Sequence, residues 1–295
     1  MSRKNSKEAK ARRRLENAWK ETRYIPIPQP EEYIGHIGFI PDEPFFHNSA
    51  LAAAELGNEE FAFRTKNQLV DFVENIYPVY KAIQKVSKSP EVENKNTIGF
   101  VGAPWTLLVY MINQQSPKKK LKDNFFNDDF LINRILLILE KFLKIHIKNQ
   151  IDNGANVIQI FDSWAGLLEE KDLPNYVYSP TLNLVNYVKS LNIPVICFPR
   201  EIKNFKKFCD IVKPDVVSID YNVDPKKILS DIKIPIQGGL NPNILLSDKE
   251  TLKKEAVKYL DIFKDHPYIF NLGHGVLPET DPNMFEYLVN TVKNY

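Results

Sequence analysis

The stretch YIFNLGHGVLPET, Tyr268–Thr280, begins as an apolar run and then breaks into Gly273, His274 and Gly275. A continuously apolar run is typical of a strand that is buried on both faces. The two glycines allow the backbone to approach another group closely or to adopt a positive φ, and the histidine between them titrates near neutral pH. This ending indicates a functional site at the carboxyl end of the strand.

Five further runs of the same kind lie upstream. They are Ile98–Val101, Val157–Phe161, Val195–Phe198, Val216–Ile219 and Ile234–Gln237. Longer helical patterns separate several of them, namely Phe130–Asn149, Leu182–Ser190 and Asp248–Phe263. Alternation of buried strands with helices predicts a parallel sheet.

Polar residues and glycines follow each predicted strand. The clusters are Ala103–Thr106, Asp162–Trp164, Pro199–Arg200, Asp220–Tyr221, Gly238–Asn241 and Gly273–Gly275. This placement is typical of the active face of a (β/α)8 barrel, and a doubly wound sheet also binds ligands there. No GxGxxG or Walker sequence follows a strand, so nucleotide binding is not expected.

The first 96 residues have a different character. Residues 1–23 form a basic arm with nine Lys and Arg against three Glu. Such an arm can bind nucleic acid or direct the chain to an organelle, but a solvated, frayed helix is the favoured interpretation, and no nucleic-acid partner is expected. Residues 24–96 form a divergent segment with one weak strand candidate (33–46) and two helical patterns (48–61 and 67–83).

The bulk properties are those of an ordinary globular protein. The chain has 295 residues, of which 43% are hydrophobic and 26% are charged. No apolar run is long enough to span a bilayer and no secretion signal opens the chain, so a cytoplasmic protein without membrane contact is expected. Cys197 and Cys209 form neither a CxxC motif nor a Cys/His cluster, which argues against a metal site or a disulfide framework.

The strand-end motifs, in their order, resemble those of the uroporphyrinogen decarboxylase family. The matching blocks run from about residue 78 to the carboxyl terminus: IGFVGAPWTLLVYMI, GANVIQIFDSWAGLL, PVICFPR, PDVVSIDYNVDP, IPIQGGLNPNILL and YIFNLGHGVLPETDPNMFEYLVNTV. The resemblance implies a (β/α)8 TIM barrel over residues 97–295, usually a homodimer, without metal or organic cofactor. It also implies removal of CO2 from the four acetates of uroporphyrinogen III, which gives coproporphyrinogen III in heme biosynthesis.

The resemblance assigns substrate contacts to Tyr110, Ser163 and His274. For each residue a simpler role stays open: an aromatic helix anchor for Tyr110, a helix cap for Ser163, and a histidine satisfied in the barrel mouth for His274. Arg200 is the guanidinium best placed to meet a substrate carboxylate. Its alternative is pairing with a nearby acid, Glu201 or Asp220.

The residues of the chemical step are not identified. The family's opening arginine motif and its second-strand aspartate have no counterpart here, and Asp71 lies in a helical pattern that makes it a poor substitute. Asn241 stands where the family commonly has aspartate. Asp162 and Asp220 are expected to be structural acceptors of loop amides, and Trp105 and Trp164 to pack the loops or to form a wall for a flat ligand.

These gaps predict a barrel with an atypical or incomplete N-terminal quarter, because one weak strand candidate stands where two strands are needed. They also leave two functions open: a decarboxylase of reduced activity, or an inactive remnant or fusion of the same fold. A corrinoid-type methyltransferase of the same superfamily would need a His-x-Cys pair and another cysteine to hold zinc. No His-x-Cys occurs in the chain, so that function is disfavoured.

Overall fold

The computed structural model describes residues 59–113, 121 and 129–295, with side chains from Phe72 onward except that of Asn113. The basic arm, the strand candidate at 33–46 and most of the helical pattern at 48–61 lie outside the described residues. The chain divides into two compact units. Among the described residues, one unit holds 59–97, 110–113, 121 and 129–155, and the other holds 98–109 and 156–295.

The helices and strands alternate along the described chain. In order they are α1 (Glu59–Ser87), β1 (Ile98–Gly102), α2 (Pro104–Asn113), α3 (Asp129–Asp152), β2 (Val157–Asp162), α4 (Ser179–Ser190), β3 (Val195–Pro199), α5 (Phe205–Val212), β4 (Val216–Ile219), α6 (Pro225–Asp231), β5 (Ile236–Gly238), α7 (Lys249–Phe263), β6 (Tyr268–Ile269) and α8 (Pro282–Lys293). Short 3-10 turns lie at Pro90–Val92, Ala165–Leu167 and Pro242–Leu246, and a π turn at Pro174–Tyr178. All six predicted strands and the three predicted helices between them are confirmed. Their ends shift by a few residues, most at β6, which ends at Ile269 rather than Leu272.

The six strands form one parallel sheet in the order β1-β2-β3-β4-β5-β6. The runs are continuously apolar because most strand residues are buried; β3, for example, is buried at all five positions. The two edge strands are different. Phe100 on β1 is 62% exposed and Ile269 on β6 is 42% exposed, as expected for the edges of a sheet that two further strands would close into a barrel.

A side-chain hydrogen bond shows that the sheet is curled. Gln237 on β5 donates to Gln159 on β2 and to Ser218 on β4, both at 3.4 Å. Two strands separate β2 from β5, so a flat sheet would hold them roughly 14 Å apart. The contact therefore requires the concave surface of a barrel wall. The described sheet supplies six of the eight strands of a (β/α)8 barrel, which confirms the predicted fold class.

The other unit is built on a helix pair. The helical pattern at 67–83 lies within α1, as predicted, and α1 packs against α3. The shared core contains Val73, Tyr80, Ile138, Phe142 and Ile145. The Tyr80 hydroxyl and His146 Nδ1 are joined by a hydrogen bond of 2.9 Å inside this core.

No helix within residues 59–113 and 129–295 is both long and apolar enough to cross a bilayer.

Candidate functional site

The turn that carries Ser163 is fixed by the backbone of Arg200. The Arg200 N–H donates to the Asp162 carbonyl at 3.1 Å, and the Gly166 N–H donates to the Arg200 carbonyl at 3.0 Å. Ser163 lies between these two attachment points, just past the end of β2. Two of the four predicted substrate-binding residues, Ser163 and Arg200, are thus brought together.

Asp220 joins the next loops to this pair. Its Oδ2 accepts from the Glu201 N–H at 2.9 Å, and its Oδ1 accepts from the Asn222 N–H at 2.9 Å. The carboxylate is 1% exposed, so both bonds form away from bulk water. The expectation that Asp220 accepts hydrogen bonds from loop amides is confirmed.

Gly273 brings the loop after β6 onto the loop after β4. A Cβ at Gly273 would lie 2.5 Å from the Tyr221 nitrogen and 2.9 Å from the Asp220 carbonyl carbon. The Gly273 N–H also donates to the Leu240 carbonyl at 2.7 Å. The first glycine of the Gly-His-Gly motif is therefore required for close backbone approach, one of the two reasons that the sequence suggests.

Backbone contacts and the Asp220 carboxylate thus connect the loops after β2, β3, β4 and β6 at one end of the sheet. We call this set the rim; it consists of residues 162–166, 199–201, 220–221 and 273–275. His274 and Gly275 are exposed on it. Its exposure leaves His274 accessible from solvent, and the choice between a substrate contact and a histidine satisfied in the barrel mouth stays a prediction.

Arg200 forms an ion pair with its neighbour. The guanidinium Nη2 lies 2.7 Å from Glu201 Oε1, and the Arg200 side chain is 16% exposed. Its buried Nε has no hydrogen-bond partner among the described residues. Glu201 adopts φ 61°, a left-handed conformation that is uncommon for glutamate. The predicted alternative of pairing with Glu201 is confirmed.

Ser163 makes no side-chain hydrogen bond to another described residue. The 3-10 turn that follows begins after Trp164 and has no side-chain cap. The capping role considered for Ser163 is therefore absent, and its hydroxyl is partly exposed on the rim.

The expectation that Asp162 accepts hydrogen bonds from loop amides is wrong. Its Oδ1 accepts from the Thr106 hydroxyl at 2.7 Å, while its Oδ2 is buried without a partner among the described residues. The Thr106 oxygen in turn accepts from the Trp164 N–H at 3.3 Å. Burial raises the pKa of the Asp162 carboxyl to about 7, and the Thr106 hydrogen bond opposes part of that rise.

Trp105 packs the loops, as predicted. Trp105 is fully buried, stacks on Tyr176 at 5.8 Å between ring centroids, and donates from Nε1 to the Trp164 carbonyl at 2.9 Å. Trp105 therefore does not form an exposed wall for a flat ligand.

Tyr110 belongs to the other compact unit. It lies in α2 and is 39% exposed. Asp71 lies within α1, and its side chain is outside the described ones.

A cleft of about 860 Å³ opens between the loops after β3 and β4. Its lining mixes three lysines with five acidic residues: Lys203, Lys206, Lys227, Glu170, Glu201, Asp220, Asp224 and Asp231. Ser163, Arg200 and His274 do not line it. The cleft touches the rim only through Glu201 and Asp220, and its acids disfavour a polyanion.

No group of three or more potential metal ligands occurs in residues 59–113 and 129–295. Cys197 and Cys209 are free thiols. Burial raises the pKa of Cys197 well above its usual value and that of Cys209 to about 12. Neither thiol is a ready thiolate ligand or nucleophile.

Known proteins resemble both the sequence and the fold. The family model described as uroporphyrinogen decarboxylase (URO-D) matches residues 39–295, so the match begins upstream of the motif blocks. Uroporphyrinogen decarboxylase of Wolbachia pipientis wMel is 42% identical over 221 residues, which cover 74% of this chain and 65% of the relative. The protein of the same description from Rickettsia bellii is 36% identical over 245 residues, which cover 80% and 70%.

Among solved structures, a methyltransferase from Methanosarcina mazei superimposes with a TM-score of 0.59 at 18% identity, over 73% of this chain and 63% of that one. This likeness concerns the fold. The chain spans about two thirds of the length of the curated relatives that it matches. With a family model that matches residues 39–295, the chain belongs to the uroporphyrinogen decarboxylase family.

Proposed function

We propose that the chain is a carboxy-lyase that binds uroporphyrinogen III at the rim and removes CO2 from its four acetates, giving coproporphyrinogen III. The observation that carries the proposal is that backbone hydrogen bonds join the turn of Ser163 to Arg200 at the carboxyl ends of the strands, in a chain of this family. A hydroxyl and a guanidinium are suitable donors for a substrate that presents eight carboxylates.

The chemistry defines what such a site must supply. Loss of CO2 from an acetate leaves an electron pair on carbon, which a pyrrole ring protonated at the adjacent carbon can accept. The protein must hold the polyanion and stabilise the cationic ring, and electrostatic stabilisation is usually the largest catalytic contribution. We assign carboxylate binding to Arg200 and hydrogen bonding to Ser163 and His274. The family resemblance adds a substrate contact at Tyr110.

We infer that turnover is low. The family's arginine motif and its second-strand aspartate have no counterpart in this sequence. Without a carboxylate facing the pyrrole N–H groups, the cationic intermediate loses its main stabilising partner. The alternative, an inactive relative that still binds the tetrapyrrole, also rests on the missing arginine motif and aspartate.

The decisive experiment is anaerobic incubation of the intact chain with uroporphyrinogen III, with products separated by their number of carboxylates. Slow appearance of hepta- to tetracarboxylate products supports the proposal. Binding without any product favours the inactive alternative. Rapid and complete conversion would contradict low turnover and would point to a replacement carboxylate.

We further propose that residues 97–295 act as the decarboxylase-like domain, with residues 1–23 as an appended arm and 24–96 as a divergent segment. A homodimer in the cytoplasm is the assembly and location that the family resemblance suggests. Sedimentation of the purified chain and fractionation of cells that express it test these two points.

A further inference from the structure

Asp162 has the surroundings of a neutral acid rather than of a carboxylate. The side chain is 3% exposed at the end of β2. One oxygen has a single donor, Thr106, and the other has none among the described residues. An ionised carboxylate buried with one hydrogen bond loses far more solvation than it regains, whereas the protonated form avoids that loss.

No cation among the described residues compensates for a negative charge here. The titratable group that interacts with Asp162 from the neighbouring strand β3 is the buried thiol of Cys197, and its raised pKa keeps it neutral. From α2, the contact is the Thr106 hydroxyl, which does not titrate in this range. Arg200 meets Asp162 through its backbone N–H only, and its guanidinium pairs with Glu201.

The bond to Thr106 also fixes the neighbouring turn. The Trp164 N–H donates to the same Thr106 oxygen that donates to Asp162, and the Trp105 indole donates to the Trp164 carbonyl. Ser163 lies between Asp162 and Trp164, so both of its chain neighbours are attached to the start of α2. The loops after β1 and β2 are thereby joined around Ser163.

We propose that Asp162 is a positioning residue that works as a neutral carboxylic acid and holds the Ser163 turn through Thr106. Ionisation of Asp162 places a charge in a dry site, and water can reach it only if this turn opens. The significance for ligand binding rests on the proposed function, since Ser163 is a substrate contact only there. The protonation state and the turn itself are measurable without a ligand.

Tryptophan emission tests the proposal, because Trp105 and Trp164 flank the linkage. With Trp19, the third tryptophan of the sequence, replaced by phenylalanine, the emission reports on these two rings alone. We expect a transition with a midpoint near pH 7. Asp162→Asn, which has the shape of the protonated acid and does not titrate, should remove the transition. Thr106→Val should shift the midpoint to higher pH, because the Thr106 hydroxyl favours the ionised form of Asp162. Thr106→Ser retains a hydroxyl and should keep the original midpoint.

Infrared difference spectra of the unmodified protein, recorded at pH 6 minus pH 8.5, provide a second measurement that requires no variant to fold. A protonated-acid band that disappears at the higher pH supports the proposal. Absence of that band, or an emission transition that persists in Asp162→Asn, overturns it. An acid band together with emission that does not change with pH also overturns it, since the turn would then be insensitive to Asp162. Failure of the chain to bind a tetrapyrrole would refute the proposed function and leave these readouts intact.

Discussion

Gly273 lies so close to Tyr221 that a Cβ on the glycine would be 2.5 Å from the tyrosine backbone nitrogen. At Gly275, two residues further along the same loop, no described atom beyond its own chain neighbours lies within 4 Å of the corresponding position. The two glycines that flank His274 therefore have different roles: one permits backbone packing, and the other meets no packing partner among the described residues.

Substitution of Gly273 by alanine should destabilise the protein by about 1–3 kcal/mol, because the neighbour is rigid backbone. Gly275→Ala is the matched control and should change the stability by less than about 0.5 kcal/mol. Denaturant unfolding of both variants measures the difference. Equal stability of the two variants would show that the loop after β6 does not rest on Tyr221.

Removal of the Asp220 carboxylate should loosen the rim. Asp220→Ala leaves the N–H groups of Glu201 and Asn222 without their acceptor, and we expect a loss of about 1–3 kcal/mol in unfolding free energy. Asp224→Ala is a useful comparison, because Asp224 caps α6 from an exposed position. A loss for Asp220→Ala no greater than that for Asp224→Ala would argue against a central role for Asp220.

Glu201 should compete with a substrate carboxylate for Arg200. Glu201→Gln removes the charge that neutralises the guanidinium, and we expect about two- to five-fold tighter binding of uroporphyrin I, the stable oxidised form of the macrocycle. Glu286→Gln, an exposed change on α8, controls for the altered net charge. Fluorescence titration of the porphyrin measures both affinities, and equal gains for the two variants would indicate a general charge effect.

The helix pair should weaken in mild acid. Burial lowers the pKa of His146 from 6.5 to about 4, so the folded protein keeps the ring neutral where the unfolded chain takes up a proton. Because the unfolded state binds more protons in that window, stability should fall as the pH drops from about 6.5 to 4, by up to roughly 3 kcal/mol.

His146→Asn, which retains an acceptor for the Tyr80 hydroxyl and does not titrate, should flatten this dependence. Unfolding free energies of the two proteins at pH 7 and pH 5 provide the measurement. An unchanged slope in the variant would assign the acid sensitivity to other groups.

The sequence predicted the strands well because burial on both faces leaves a local pattern. The errors of the prediction lie at strand ends, which are set by hydrogen bonding to the neighbouring strand rather than by the local pattern. The run Tyr268–Leu272 forms a two-residue strand, and Leu272 joins the sheet again only through an isolated bridge to Leu240. The fifth strand begins at Ile236 rather than Ile234, since Pro235 has no N–H to donate.

The candidate site was harder to predict because its contacts join distant positions. Asp162 and Asp220 look alike in the sequence, each ending a buried strand. They differ because loop amides reach Asp220, whereas a hydroxyl 56 residues away in the chain reaches Asp162. Thr106 appears in the motif APWT, but nothing in its local pattern indicates that partner.

The most direct test of the central claim, that the rim binds a polycarboxylate tetrapyrrole, is a titration of the intact chain with uroporphyrin I beside its Arg200→Ala variant. We predict saturable binding that the variant weakens by at least about ten-fold, the effect of losing a hydrogen bond to a charged group. Absence of saturable binding, or equal affinity in the two proteins, would contradict the account.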